Sequence, residues 1–480
     1  MDCLSLFKEK HIEDNDEYPR NDIGMAKLFF ALHSKELCYV VEAKSWYTYT
    51  GRRWKKDESR LRVMERCKSF AQAIIRYAEL CDAGDHDSKM FMKYVGGFHS
   101  RRRREGLLSD ARSIDPKPIT IFDRDKFLLN CQNGTYNLQT MTLQPHNPAD
   151  YITKISRVEY IEGVVCERWE RFIGEIMCGD ADTAQFLQKA LGYSLSGDTS
   201  LECFFILHGS TTRNGKSTLM EAVGNILGEY ARTVQPQTLS RRPNDGSAAA
   251  PDTARLKGAR LVKTSEPEKG LELNTALIKQ FTGGDTYTAR FLHENPVEFA
   301  PEFKIFINTN HLPATSDPTI FASGRVKLIP FDRHFSPEEQ DTGLKKFFRV
   351  GKNRSGILNW LIEGYRLLLE EGLEASPNMA AAIAAYRIKA AQTAFDFGAF
   401  VAEHLLLADG SKVKTSAIYQ RYQVLAQGKG WRVMPARSFV GELRERVEVK
   451  RDCALGNVVI GYTLKPTICE DSLADVSQVS

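Results

Sequence analysis

The chain has 10 cysteines but no CxxC pair, so nothing in it suggests a zinc site or a disulfide framework. No apolar run approaches the roughly 18 residues of a membrane span. Neither sign of charge dominates. With 65 Lys and Arg against 61 Asp and Glu the formal net charge is +4, which permits a nucleic-acid partner without arguing for one. The start, MDCLSLFKEKHIEDNDEYPRND, is too charged for a secretory leader. Internal repeats are absent too, which excludes a solenoid. These absences lead us to expect reduced thiols, no membrane and a cytoplasmic setting. The 480 residues exceed one ordinary core, so two to four domains are expected.

Residues 1–115 read as a mixed α+β region. WYTYTGRRW, Trp46 to Trp54, alternates before a glycine as a small hairpin does, and residues 60–115 carry helical patterning. Arg101 to Arg104 (RRRR) is the densest basic run; such a run is usually a solvated face, though it could touch nucleic acid. A second hairpin is expected in FLLNCQNGTYNLQ, where Asn133-Gly134 separates two apolar stretches. It opens a segment, 116–196, that ends in helices.

From Glu202 the texture changes. Short apolar runs at CFFIL, ARLVKT (259–264), FKIFIN (303–308) and RVKLIPF (325–331) alternate with helical stretches. That pattern predicts a mainly parallel α/β sheet. Helices follow from Pro337, with a segment 341–394 and a last ordered part, 395–466, that ends in a two-strand wing. The polar tail, 467–480, is expected to be disordered.

CFFIL runs into HGSTTRNGKST and then into a helix with Leu219, Val223, Ile226 and Leu227 on one face. Strand, loop, Gly-Lys-Ser and helix is the context of a phosphate-binding loop. Its expected ATP-binding residues are Gly209, Ser210, Thr211, Thr212, Arg213, Asn214, Gly215, Lys216, Ser217 and Thr218. Lys216 would reach the β and γ phosphates, and the Ser217 hydroxyl would ligate Mg²⁺. Five residues separate Gly209 from Gly215 where the usual pattern has four, so the match rests on Asn214 to Thr218 and on context. Glu266, just past the next strand, can hold Mg²⁺ and polarise a water, with Glu268 able to share the role. Asn310 ends the third strand where a γ-phosphate sensor would sit, with Asn308 as fallback. Arg325 precedes the last strand, with Arg333 as its rival.

In this order these pieces resemble the superfamily 3 helicases of the AAA+ class, and more narrowly the phage and plasmid primase-helicase family related to the poxvirus primase-helicase. The residues that carry it are FLLNCQNGTYNL with PHNPADYITK, GYSLSGDTSLECFFILHGSTTRNGKST, RLVKTSEPE, the stretch LIKQFTGGDTYTARFLHENPVEFAPEFKIFINTNHLP, GRVKLIPF and NRSGILNWLIEGYRLLLEEGL. The resemblance spans about residues 20–465. It implies an AAA+ P-loop ATPase core at 197–340, a helical lid at 341–394 and a winged-helix-like domain at 395–466. Lys216, Glu266, Asn310 and Arg325 take the catalytic roles, Arg325 as a finger toward a neighbouring subunit. Ser210 and Thr212 stand where family loops often carry glycines, and Gly324-Arg325 where many members have two arginines. A hairpin around HENP would enter a ring channel and hold single-stranded DNA through Lys279, Arg290 and His293.

The expectation is therefore an ATP- and Mg²⁺-dependent homo-hexameric DNA helicase of phage, plasmid or prophage replication, in a bacterial or phage-infected cell. Its C-terminal domain could meet duplex or origin DNA. A separate primase domain has little room in about 200 residues before the loop. The alternatives are an ATP-regulated origin-binding or scaffold protein without unwinding, and, disfavoured by motif order and length, a small-molecule P-loop kinase.

Overall fold

Asn21 starts the first helix, α1 (Asp22–His33), by accepting a hydrogen bond from the Gly24 amide at 3.0 Å. The computed structural model describes residues 7, 16–81, 84–240, 251–265, 267, 271–290, 296–315, 317, 319–393, 397–428 and 433–466. Of residues 251, 252, 290, 296, 297, 322 and 389–393 only the backbone is described. The expected tail, 467–480, lies outside that set. The chain divides into two compact units, residues 1–313 with 319–383, and residues 384–480 with 314–318.

In the first unit, β1 (Leu37–Val40), β2 (Ser45–Tyr49) and β3 (Trp54–Lys56) form an antiparallel meander. The expected WYTYT hairpin is its second half, with Tyr49 opposite Trp54. Three helices follow: α2 (Leu61–Leu80), α3 (His86–Gly96) and α4 (Arg101–Ala111). The Asp57 carboxylate caps α2 by accepting from the Arg62 and Val63 amides. Phe29, Phe70, Ile74 and Trp46 make the centre of this core. The RRRR run opens α4, and three of its members serve the fold. Arg101 pairs with Glu105, Arg103 pairs with Asp22 and lies over the Tyr94 ring, and Arg104 donates to the Phe98 and His99 carbonyls.

The second expected hairpin is β4 (Leu128–Asn130) and β5 (Thr135–Asn137), extended by β6 (Thr142–Gln144). Its turn differs from the two-residue Asn-Gly type. The loop is Cys131–Gly134, closed by the Cys131 amide on the Gly134 carbonyl, and the Asn133 side chain clamps both backbone groups of Tyr160. Helices α5 (Glu167–Ile176) and α6 (Ala181–Tyr193) complete the segment.

The central sheet holds β7 (Phe204–His208), β8 (Ala231–Val234), β9 (Leu261–Thr264), β12 (Lys304–Thr309) and β13 (Val326–Pro330), in the order β13-β7-β12-β9-β8 and parallel throughout. Helix α7 (Lys216–Leu227) follows β7 and buries Leu219, Val223, Ile226 and Leu227, the face read from the sequence. Between β9 and β12 come α8 (Thr275–Thr282) and the antiparallel pair β10 (Tyr287–Arg290) and β11 (Pro296–Phe299). Helices α9 (Gly351–Glu371) and α10 (Pro377–Thr393) come after the sheet. Helix α9 crosses α6 closely through glycines: a Cβ at Gly192 would stand 2.4 Å from the Tyr365 amide nitrogen, and one at Gly364 2.3 Å from the Gln188 carbonyl oxygen.

Two buried cations tie the sheet to the end of α6. Arg260, 4% exposed, donates to the Leu195 and Leu128 carbonyls. Lys304, 1% exposed, donates to the Ser196 and Asp198 carbonyls and lies 4.4 Å from the Tyr193 ring centre. These charge-assisted bonds to backbone carbonyls of β4 and of the turn after α6 offset the cost of burying the cations. Burial pushes the Lys304 ammonium well below the usual lysine range.

The second unit runs α11 (Phe397–His404), β14 (Leu405–Lys414), α12 (Thr415–Gly428), α13 (Ala436–Arg444), β15 (Val449–Asp452) and β16 (Gly456–Leu464). Its antiparallel sheet has the order β14-β16-β15, and the expected wing is β15 with β16. Phe397, Phe400, Tyr422 and Phe439 fill its core. Thus the fold is mixed α/β, with a helical N-terminal region and a parallel sheet. Among the described residues no helix is long and apolar enough to cross a membrane.

Candidate functional site

Phe204, Phe205, Ile206 and Leu207 are fully buried, as a strand with neighbours on both edges and cover on both faces requires. Pairing then fixes what lies at the carboxyl end of β7. Thr309 pairs with His208 on one side and Pro330 with His208 on the other, so Asn310 and Phe331 flank Gly209. The Gly209 amide donates to the Thr309 carbonyl at 3.3 Å, and the Phe331 amide to the His208 carbonyl at 2.6 Å. Ligands of open α/β sheets bind at this edge.

The loop Gly209–Gly215 has no slack at either end. A Cβ at Gly209 would meet the Asn214 side chain at 2.3 Å and the Phe331 carbonyl oxygen at 2.6 Å. Gly215 has φ +85° and caps α7, and a Cβ there would meet Ile176 at 2.4 Å. Arg213 has φ +59°, in the left-handed region. The Asn214 side chain, nearly buried, donates to the Thr211 carbonyl at 2.6 Å. Ser210, Thr211, Thr212, Arg213 and Ser217 are exposed, while Thr218 is half-buried.

Lys216 is the first residue of α7 and only 4% exposed. Its Nζ donates to Asn310 Oδ1 at 2.7 Å, joining two of the expected catalytic residues from adjacent segments. An ammonium group at a helix N-terminus stands against the helix dipole, and such a place favours an anion. Asn308, the fallback, lies two residues back on β12, and its Oδ1 is buried without a partner among the described residues. So is Thr264 Oγ1, at the end of the neighbouring β9. This edge therefore carries a loop of backbone amides, a lysine and unspent polar atoms, which suit a phosphate group and its metal ion.

Glu266 and Glu268 follow β9 but lie outside the described residues, as does His293 between β10 and β11; Arg290 is described by its backbone alone, at the end of β10. Lys279 is on α8 rather than on the hairpin, and its Nζ donates to Thr319 Oγ1 at 3.0 Å. Arg325 sits at the opposite edge of the sheet. Its carbonyl accepts from the Phe204 amide at the start of β7, and its guanidinium binds Glu202 and Thr282 Oγ1. Six strand residues at about 3.3 Å each put it roughly 20 Å from Phe331 and the loop. Arg333 is at the loop's edge, paired with Glu339 and stacked on Phe335.

Sequence reasoning missed His334 and Phe335. The Phe335 amide donates to the Arg213 carbonyl at 2.9 Å, and His334 Nδ1 lies 2.8 Å from the Thr212 carbonyl oxygen. Their signal was positional, because residues just past a parallel strand share the edge of its neighbours' ends.

A family model described as D5 N-terminal-like matches residues 26–178, and the model of a family of unknown function matches residues 207–322. "Putative helicase L207/L206" of Acanthamoeba polyphaga mimivirus is 26% identical over 420 residues, which cover 80% of this chain and 43% of that protein. "Putative helicase V13" of Sputnik virophage is 23% identical over 331 residues, covering 65% of this chain and 41% of that protein. The chain thus spans about two fifths of the length of these two relatives. The solved A-form apo structure of the NrS-1 C-terminal region superposes with a TM-score of 0.45 at 11% identity, covering 90% of this chain and 98% of that one. Residues 26–178 carry the D5 N-terminal-like domain of the primase-helicase family, and the chain is a homologue of viral and virophage proteins named "Putative helicase".

Proposed function

We propose that this chain is the ATP-driven motor of a ring-forming DNA helicase, serving replication of a phage, plasmid, prophage or related viral genome. The observation that carries the reading is the Lys216–Asn310 contact at the carboxyl edge of a parallel sheet, beside a loop whose two glycines have no room for a side chain. A phosphate chain would lie along the loop amides, and Lys216 would exchange Asn310 for the β and γ phosphates. Asn310, released, would contact the γ-phosphate. Mg²⁺, held by Ser217 and Glu266, would neutralise charge on the phosphates. Glu266 would orient the attacking water.

The strand order and its flanking helices support an AAA+ core for the first unit. The α11–β14–α12–α13–β15–β16 succession supports a winged helix for the second, able to meet duplex or origin DNA. Arg325, far from its own loop, suits a finger offered to a neighbour's γ-phosphate in a homo-hexamer. Single-stranded DNA would occupy the channel, touched by the β10–β11 hairpin.

The test is the ATPase rate of the purified protein with and without single-stranded DNA, beside Lys216→Ala. We expect DNA to stimulate the rate and the substitution to abolish it. A rate that the substitution abolishes but that is indifferent to DNA would sink the motor and favour the ATP-regulated scaffold. Strand displacement on a forked duplex separates the same two readings.

A further inference from the structure

The loop that would bind phosphate has few glycines, yet its path is fixed, and two of the three fixing groups lie outside it. Three successive carbonyls are engaged: Thr211 by the Asn214 side chain at 2.6 Å, Thr212 by His334 Nδ1 at 2.8 Å, and Arg213 by the Phe335 amide at 2.9 Å. A carbonyl only accepts, so His334 Nδ1 carries the proton in that contact. Two of the three donors come from Phe331–Phe335, which continues the β13–β7 pairing beyond the sheet and runs beside the loop.

We infer that Phe331–Phe335 is a strap that sets the conformation of the nucleotide loop, with His334 as a positioning residue for phosphate binding. The inference rests on the reading of Gly209–Thr218 as an ATP site. Peptide units are planar and trans, so a unit whose C=O is held on one side presents its N–H on the other. The strap holds the carbonyls of Thr212 and Arg213 from one side, and this turns the amides of Arg213 and Asn214 away from it, on the same side of the loop. Convergent amides of this kind make a nest for an anion. In a glycine-rich loop, close approach to the ligand is easy and the ligand can do the ordering. Here Ser210, Thr211, Thr212 and Arg213 take those places, and Arg213 is already in the left-handed region. The strap supplies in advance the order that bound phosphate would otherwise impose, which lowers the entropy lost on binding. Arg333 steadies the strap by pairing with Glu339 and stacking on Phe335 at 4.8 Å, and Glu339 accepts from the Ser336 amide.

The experiment uses the full chain. Binding of mant-ATP with Mg²⁺, steady-state kcat and KM for ATP, and the melting temperature are measured for the wild type, His334→Ala, His334→Asn and Lys216→Ala. Asparagine presents an amide N–H close to where Nδ1–H stands. We expect His334→Ala to raise Kd and KM by about three- to tenfold, the loss of one exposed hydrogen bond, with kcat and melting temperature held. A raised KM at constant kcat is the mark of lost ground-state binding. His334→Asn should restore most of the affinity. Wild-type affinity in His334→Ala would overturn the strap, and so would equal weakness of the Ala and Asn variants. Those results leave the ATP site intact provided Lys216→Ala weakens binding. Wild-type binding that Lys216→Ala does not change would overturn the site itself, and the strap with it.

Discussion

Single residues show where burial outweighs charge. His33 ends α1 within the N-terminal core, 8% exposed and 4.9 Å from the Phe29 ring centre. A helix C-terminus ordinarily favours a protonated imidazole. Here burial first, and the nearby Arg66 second, bring its pKa down to about 4, against a small opposing effect of Glu36. In the unfolded chain it titrates near 6.5. The unfolded state therefore takes up the proton first as pH falls. The stability this group contributes is complete above about pH 6.5 and is lost as pH falls toward 4, on the order of 3 kcal/mol in total. Urea unfolding between pH 7 and 4.5 should show His33→Gln losing close to one proton's worth of slope relative to the wild type. Equal slopes would show that His33 is not the sensor.

Lys216 was legible in the sequence from Gly-Lys-Ser set between an apolar run and an amphipathic helix, and Asn310 from its place just past a buried apolar run. His334 was not, since an exposed histidine in FDRHF carries no periodic signal, and only the pairing of β13 with β7 brings it to the loop. Arg333 was legible only as an alternative to Arg325. The two stand at opposite edges of one strand, a distinction that motif order does not make.

At the scale of elements, apolar runs of four to six residues located the buried strands of the sheet, because such strands must be apolar on both faces. The edge strand β8, ARTV, is half-exposed and shows neither that run nor a clean alternation, so it went unread. The Asn133-Gly134 pair marked a hairpin correctly, but its asparagine was spent on Tyr160 and a longer loop replaced the tight turn. Nor could the sequence show that α6 and α9 touch backbone to backbone, since a glycine within a helix reads only as a weakness. That contact is open to test. Gly364→Ala would place a methyl 2.3 Å from the Gln188 carbonyl oxygen, inside contact distance. Overpacking of this kind costs about 1–3 kcal/mol. We expect a lower melting temperature, together with an unchanged or slightly raised one for Gly174→Ala, a helical glycine with open space around its Cβ position, where alanine favours the helix. Equal melting for both variants would mean that the helices part easily.

For the whole molecule, the separation of Arg325 from its own loop makes a prediction about assembly. If the ring reading holds, Lys216→Ala subunits lack a loop but offer an arginine, and Arg325→Ala subunits lack the arginine but keep a loop. Each variant alone should be inactive as an ATPase, and their mixture should regain a fraction of wild-type activity from interfaces that combine the two intact halves. No recovery on mixing, with both variants still assembled by light scattering, would count against a shared site. The same experiment asks whether Glu202 gives up Arg325, because the arginine is held within its own subunit by that carboxylate and by Thr282.

Strand β13 joins these observations. Among the described residues it is an edge strand, paired only with β7, with Arg325 before its first residue and the strap after its last. A strand is nearly inextensible along its axis, since its length is already close to that of the extended chain. If the loop draws on His334 as it fills with phosphate, that pull would be passed along β13 toward Arg325. Under the proposed reading β13 would be a short tie rod, with one end on its own fuel and the other reaching toward its neighbour's.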